Sequence, residues 1–413
     1  MKKPYKYYSG ITSQISFCAT PLRLDSYNNC SFGCTYCYAR TRQGHGREQQ
    51  LQISNPQSLH DRLKRVSDGI IKSSLDEFIQ RKIPFQLGGM SDPFSRYEQR
   101  AEITLEYMKI LREYDYPYII STKSALISTS KYKDALLNSN SYVRFSTTVI
   151  DAKKRKLIDK GCVGIDNLAE AAQILSTINI PTSFRLQPII PGFESFAEEI
   201  INIAAESGVK HLSAEYLKVP MDANKKFGSN LLKIFDNTPV SKYISMGAHK
   251  VGREYTLPLE YRTTYLIEMY QYTKAKGMTF GFADNDLLLH ADGASCCGAS
   301  DLYLREANFF HANIPSIIKK KKINEEIYFI DFLTEWIPQR VISTYLNSKA
   351  RLAIIDTSEP EWLQFLKKMW IGEQGVYNPL YFDGVSLSGK LDSNGLPIYI
   401  RTLSSFEKKL RSY

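Results

Sequence analysis

From Phe85 to Ala283 the chain repeats one unit, a short run rich in β-branched, aromatic and aliphatic residues followed by a stretch with apolar residues at helical spacing. Phe85 to Gly88, Tyr118 to Ser121, Val143 to Thr148, Thr182 to Gln187, His211 to Leu217 and Thr279 to Ala283 read as strands. Between them, Ile103, Tyr107, Ile110, Leu111 and Tyr114 share one helical face, as do Leu168, Ala171, Ala172, Leu175 and Ile178. Further helices are expected near Ser128 to Leu137, from Phe196 to Ala204, and around Leu266, Met269 and Tyr270. Ahead of them, Leu59, Leu63, Val66 and Ile70 open a long helix that breaks once before Arg81. Strand–helix–strand repetition demands a parallel sheet with right-handed crossovers. The expected fold is therefore α/β, a partial barrel whose functional loops gather at the carboxyl ends of the strands. Residues 1–290 are assigned to this barrel and 291–413 to a C-terminal α+β extension. In the extension, Val385 to Lys390 and Leu396 to Ile400 flank Asp392-Ser393-Asn394-Gly395, the signal of a hairpin over 385–400.

Chemistry is concentrated in residues 28–40, which carry three of the seven cysteines, Cys30, Cys34 and Cys37, in the spacing C-x₃-C-x₂-C. Three thiolates on one loop can converge on a soft metal site, and an iron–sulfur cube held by only three of them keeps one iron open for a non-protein ligand. Structural zinc would want a fourth Cys or His at short spacing, and the nearest candidate, His45, sits among glycines in a polar loop spanning Thr41 to Pro56.

At these residues the chain resembles the radical S-adenosylmethionine (SAM) superfamily, whose defining loop C-x₃-C-x-aromatic-C is matched by Cys30, Cys34, Tyr36 and Cys37. The resemblance implies a [4Fe–4S] cluster whose open iron is chelated by SAM, reductive cleavage of SAM, hydrogen abstraction from a substrate, and an electron donor such as a flavodoxin or ferredoxin. The cofactors would carry the hard step while the protein orients and shields it. Over about residues 15–220 the chain is similar to the spore photoproduct lyase-related branch of that superfamily. The landmarks are Gly88-Gly89-Met90-Ser91-Asp92-Pro93, Ser121-Thr122-Lys123-Ser124, Phe145-Ser146-Thr147-Thr148 and Arg185-Leu186-Gln187-Pro188-Ile189-Ile190-Pro191-Gly192, in the order of the family. The fold so implied is a partial (β/α)₆-type radical SAM barrel.

Each landmark carries an expectation. Gly88 and Gly89 let backbone approach a ligand closely, which the resemblance assigns to the amino group of SAM, with a tight turn as the alternative. Ser91 and Asp92 are candidates to accept from that ammonium. Ser146 and Thr148 are candidates for the ribose hydroxyls or the carboxylate, or ordinary strand filling. Arg185 is a charge in an apolar strand and needs a partner, either the SAM carboxylate or an acidic side chain; Lys123 follows the same logic. Tyr36 completes the cofactor set. The family's hydrogen-donor cysteine, some tens of residues beyond the cluster loop, has no counterpart, because no cysteine lies between Cys37 and Cys162. Cys162 reads as a chemical or a buried thiol, and the adjacent pair Cys296 and Cys297, flanked by small residues, as candidate catalytic thiols or inert ones.

Composition narrows the setting. With 43% hydrophobic and 23% charged residues the chain has an ordinary globular balance and no span apolar enough for a membrane. The odd cysteine count and the N-terminus, which lacks an apolar signal core, lead to the expectation of a cytoplasmic protein. A net charge of +10 leans toward a polyanionic partner such as DNA or RNA. Lys153-Lys154-Arg155-Lys156 and the run Lys319 to Lys322 could line a phosphate-binding rim, and Trp336, Tyr345, Trp362 and Trp370 interleave with charges, though core packing explains them equally. Three function classes stand: a radical SAM enzyme acting on a nucleic acid or nucleotide in repair or modification; one acting on a peptide, protein or small metabolite; and a non-catalytic iron–sulfur sensor.

Overall fold

The computed structural model describes residues 4–12, 14–41, 50–295, 298–340, 358–373 and 377–412. Its centre is an eight-stranded sheet. The strands are β1 (Ser9–Ile11), β2 (Leu22–Leu24), β3 (Phe85–Leu87), β4 (Tyr118–Thr122), β5 (Ser141–Thr147), β6 (Thr182–Ile189), β7 (His211–Tyr216) and, last in sequence, β11 (Thr279–Phe282). From β2 through β7 to β11 every neighbouring pair is parallel, and β1 caps the edge antiparallel to β2. This is the mainly parallel sheet of a partial α/β barrel, with its strands in sequence order.

The outer face is a closed apolar layer. Leu22, Leu24, Phe85, Leu87, Tyr118, Ile120, Val143, Phe145, Phe184, Leu212 and Ala214 are all at most 1% exposed. Helices cover it with faces close to those that periodicity marked out: Ile103, Tyr107 and Leu111 from Ile103–Glu113, with Met108 buried in addition and Ile110 and Tyr114 only partly buried, and Leu168, Ala171, Ala172 and Leu175 from Ile165–Ser176. The expected early helix is two, Pro56–Ser67 capped by the Asn55 side chain and Ser74–Gln80 capped by Ser73. The N-terminus of Ile103–Glu113 has no side-chain cap of its own. Buried Glu98 takes that place, accepting from the backbone N–H of Thr104 and of Leu105 at 2.9 Å each.

Between β7 and β11 lies a small sheet of β8 (Val219–Pro220), β9 (His249–Val251) and β10 (Glu254–Thr256), and then the helix Leu259–Ala275. Beyond β11 the chain recrosses the amino-terminal ends of the strands. Phe310 N–H donates to Ala19 O, Asn308 N–H to Lys82 O and Arg305 N–H to the Asn140 side chain, while Tyr303 stacks on Tyr142 at 5.2 Å. One mouth of the barrel is thereby closed. A third sheet joins β12 (Glu326–Ile327) to the hairpin of β13 (Val385–Leu391) and β14 (Pro397–Arg401). It is fastened to the core through Trp370, whose indole donates to Pro397 O at 2.8 Å.

Several residues of the basic runs, and two of the tryptophans, have structural partners. Lys319 donates to the carbonyls of Ala291 and Gly293, Lys320 pairs with Glu335 and Lys321 with Asp331, so this run ties two segments together. Lys154 lies over the rings of Phe193 and Phe196 at 4.7 and 5.2 Å. Trp370 is fully buried and Trp336 packs on Phe78. Tyr345 lies outside the described residues.

Candidate functional site

The cluster loop leaves the carboxyl end of β2 and is held on three sides. Behind it, Tyr27 is fully buried and donates to Glu98 at 2.5 Å, while its carbonyl accepts from Ser91 Oγ at 2.7 Å. Beneath it, Thr35 donates through both its N–H and its hydroxyl to Ile158 O at 2.9 and 3.2 Å, and Gly161 N–H donates to Phe32 O at 2.8 Å. On the far side, Gly228 N–H donates to Thr35 O at 2.8 Å. A Cβ on Gly161 would come within 2.6 Å of Phe32 Cα, so the two backbones meet only because this position is glycine.

Cys34 is buried, and Cys30 and Cys37 are partly so. With Phe32, Tyr36 and Cys162 they form one local cluster. Cys162 approaches Cys34 at 3.7 Å between sulfurs, and the ligating atoms of Cys34, Cys162 and Asp159 lie within 4.8 Å of one another. A cluster places its thiolates on different irons, so the motif cysteines need not converge on one point. Burial, followed by the nearby Asp92 charge, pushes the Cys30 thiol up to about 12. Such a thiol gives up its proton when a metal cation replaces it.

Tyr36 is the hub of the polar side of the loop. Its hydroxyl donates to Asp159 at 2.5 Å and accepts from Thr148 at 3.0 Å, and Lys123 Nζ stands 5.6 Å from the ring centroid. The same ammonium lies 3.5 Å from each of Ser146 O, Thr148 Oγ1 and Asp159 Oδ2. Burial is the largest single influence and works against its charge, but the negative charge of Asp159 and of the nearby thiols together with the Asp159 hydrogen bond hold Lys123 above its ordinary value. Four of the expected site residues, Tyr36, Lys123, Ser146 and Thr148, thus form one group, joined by Asp159, which the sequence reading did not single out.

The turn after β3 is shaped by its own neighbours. Gly88 has φ +93°, and a Cβ there would lie 2.4 Å from Ser121 O. Asp25 accepts from Met90 N–H at 2.8 Å and Ser91 N–H at 3.4 Å, which binds the turn to the end of β2. Asp92 accepts from Phe94 N–H, Thr122 Oγ1 and Lys123 N–H at 2.9, 2.8 and 2.7 Å. Burial raises its carboxyl to about 6 in spite of these bonds. Ser91 and Asp92 therefore brace the turn, and Gly89 lies against the Arg23 stem.

The inner face of the sheet differs from its outer face. Gln86, Ser121, Ser146, Arg185, Gln187 and Glu215 are each partly exposed in the middle or at the end of strands whose outward neighbours are buried. Register places them on one wall: Ser121 opposite Arg144, Arg144 opposite Ser183, Ser146 opposite Arg185, Arg185 opposite Ser213. A fully packed α/β barrel fills this interior with branched aliphatics. Here Ile119 and Tyr142 fill the amino-terminal end, while toward the carboxyl ends the face is lined by partly exposed polar side chains. Arg185 donates to Gln187, Gln187 to Glu215, and Glu215 pairs with Lys218 at 2.5 Å. Arg185 Nε and the fully buried Ser183 Oγ have no hydrogen-bond partner among the described residues. The remaining candidates, Cys296 and Cys297, lie outside those residues.

No family model matches the chain, and no curated protein matches it. Among solved structures it is similar to a variant of spore photoproduct lyase at 17% identity, covering 62% of this chain and 74% of that one with a TM-score of 0.50. A doubly substituted variant of the same lyase, solved with bound AdoMet and dinucleoside spore photoproduct, matches at 16% identity over 64% and 78% of the two chains, again with a TM-score of 0.50. The lyase complexed with dinucleoside spore photoproduct matches at 17% identity over 66% and 78%, TM-score 0.50. The chain has the partial α/β barrel fold seen in spore photoproduct lyase.

Proposed function

We propose that the protein is a radical SAM enzyme that carries a [4Fe–4S] cluster on Cys30, Cys34 and Cys37 and abstracts hydrogen from a nucleic-acid or nucleotide substrate. The observation that carries the reading is the docking of a three-thiol loop at the carboxyl ends of parallel strands, beside an inner sheet face whose partly exposed side chains are polar where a packed barrel has branched aliphatics. The donor set suits the group: three soft sulfurs at a partly exposed rim, and orphaned polar atoms on the wall beyond. Bound, the cluster and SAM supply one-electron cleavage of the sulfonium and hydrogen abstraction from the substrate, with a flavodoxin- or ferredoxin-type protein as electron source.

The chain's own residues do the rest. The Ile158–Cys162 segment and Gly228 hold the loop still. Arg185 offers a guanidinium to the SAM carboxylate, and the Gly88-Gly89 turn leaves backbone room for its amino group. Tyr36, Thr148 and Lys123, fixed by Asp159, form the rim on which the nucleoside end of SAM rests. The net charge of +10 and the fold of a lyase whose structures hold dinucleoside spore photoproduct support a nucleic-acid or nucleotide substrate. DNA repair or modification in the cytoplasm is the setting that fits.

The test is 5′-deoxyadenosine formation by anaerobically reconstituted, dithionite-reduced protein with SAM, alone and with irradiated DNA, intact DNA and RNA, beside Cys34→Ala. Cleavage that requires Cys34 and rises with one nucleic acid is expected. Cleavage indifferent to all three would transfer the substrate to peptides or metabolites, and none above the control, with an intact cluster, would make the protein a sensor.

A further inference from the structure

The inner wall carries more fixed positive charge than SAM requires. The seven parallel strands contain four charged side chains, Arg23, Arg144, Arg185 and Glu215, and the register puts all four on the inner face. Glu215 is engaged by Lys218 and Gln187. Arg144, 4% exposed, donates to Ser121 at 3.1 and 2.9 Å and to Gln86 at 2.7 Å. Arg185 is the guanidinium that the proposed function assigns to the SAM carboxylate.

Arg23 is left over. It is partly exposed, its Nε is enclosed without a hydrogen-bond partner, and no ion pair joins it to any acid among the described residues. Its stem packs against the glycine turn, where a Cβ on Gly89 would come 3.1 Å from its Cδ, so a side chain at Gly89 would displace the arginine. SAM does not supply a counter-charge, because its one carboxylate is outnumbered by an ammonium and a sulfonium. A guanidinium held in such surroundings is stabilised by an oxyanion that accepts two of its N–H groups.

We propose that Arg23 binds a phosphate group of the substrate inside the barrel. The inference rests on the proposed function and deepens it: the substrate enters with a charged phosphate, and Arg23 sets its position against the cluster loop, which begins a few residues further along the chain.

Two arms on the reconstituted full-length protein with SAM test it. In the first, inorganic pyrophosphate is expected to slow phenylglyoxal modification of Arg23, read residue by residue by mass spectrometry. In the second, binding of a dinucleoside monophosphate is compared with that of its neutral methylphosphonate analogue, in wild type, Arg23→Gln and Arg23→Lys, each checked for unchanged iron content. The phosphate form is expected to bind about tenfold or more tighter, the weight of a charge-assisted hydrogen bond. That preference should vanish in R23Q and partly return in R23K. Protection by pyrophosphate with no binding of either dinucleoside would uphold the phosphate site and remove the nucleic-acid reading. A preference that survives R23Q, or absence of pyrophosphate protection, would overturn the proposal.

Discussion

Replacing Gly161 by alanine tests whether the cluster loop is held in place by the segment beneath it. The added Cβ would lie 2.6 Å from Phe32 Cα, 2.7 Å from Phe32 O and 3.1 Å from Phe32 C. Ordinary carbon contacts sit at about 3.5–4.0 Å, so one backbone must retreat by about 1 Å. That retreat breaks the Gly161–Phe32 hydrogen bond of 2.8 Å and stretches both Thr35 bonds to Ile158 O, at 2.9 and 3.2 Å. At about 0.5–1.5 kcal/mol each, their loss weakens docking by about 2–4 kcal/mol, a factor of about 30 or more in the docked population. The assay is iron and sulfide content after anaerobic reconstitution, with the rate of cluster loss to an added chelator. Gly10→Ala, where a Cβ meets nothing within 4 Å, is the control. Gly161→Ala is expected to fill poorly and lose iron at least tenfold faster, which about 1.4 kcal/mol already suffices to give. Iron content and loss rate equal to those of Gly10→Ala would mean that the segment beneath does not hold the loop in place.

Other consequences are as direct. Gly88→Ala combines φ +93° with a 2.4 Å approach to Ser121 O; the dihedral alone costs about 1–2 kcal/mol, and a lowered melting temperature with weakened SAM binding is expected. Arg262 is fully buried, bonded to Asp286 at 2.8 and 2.5 Å and 3.4 Å from Asp284; Arg262→Met strands the buried Asp284 carboxylate and the partly exposed Asp286 and should cost about 3–5 kcal/mol in urea unfolding. His290, stacked on Phe406 at 4.6 Å, is held down to about 4 by burial, with Glu407 opposing the shift. Its stabilising contribution is therefore complete above the unfolded value of about 6.5 and lost as pH falls through that range to about 4, by up to about 3 kcal/mol; His290→Phe should flatten the stability profile in this window.

The strands that carry long apolar faces were legible in the sequence, because β4, β5, β6 and β7 bury one side completely and their helices present regular stripes. β2, which launches the cluster loop, has three residues, like β3, but is followed by the cysteine loop and not by a helical stripe, so it stands outside the strand–helix repeat that made β3 readable. The small antiparallel sheet of β8, β9 and β10 also stands outside that repeat and was missed. The three cysteines were plain from spacing, but their support was not. Asp159 and Gly161 act through contacts with Tyr36 and Phe32 that lie more than a hundred positions away in sequence. The polar inner wall was half visible: Arg185 attracted notice as a charge in an apolar strand, while Arg23, in a strand of three, did not. The partners of the Lys319–Lys322 run were not legible because charge alone does not reveal them: Lys319 reaches carbonyls, and Lys320 and Lys321 reach carboxylates, of neighbouring segments.

The most direct test of the account is electron paramagnetic resonance of the dithionite-reduced, reconstituted protein recorded with and without SAM. An open iron on a cluster held by Cys30, Cys34 and Cys37 predicts a reduced-cluster signal that shifts when SAM is added and is lost in Cys34→Ala. A signal that SAM leaves unchanged would mean that no iron is open to it, and one that persists in Cys34→Ala would mean that the cluster is held elsewhere; either result would contradict the central claim.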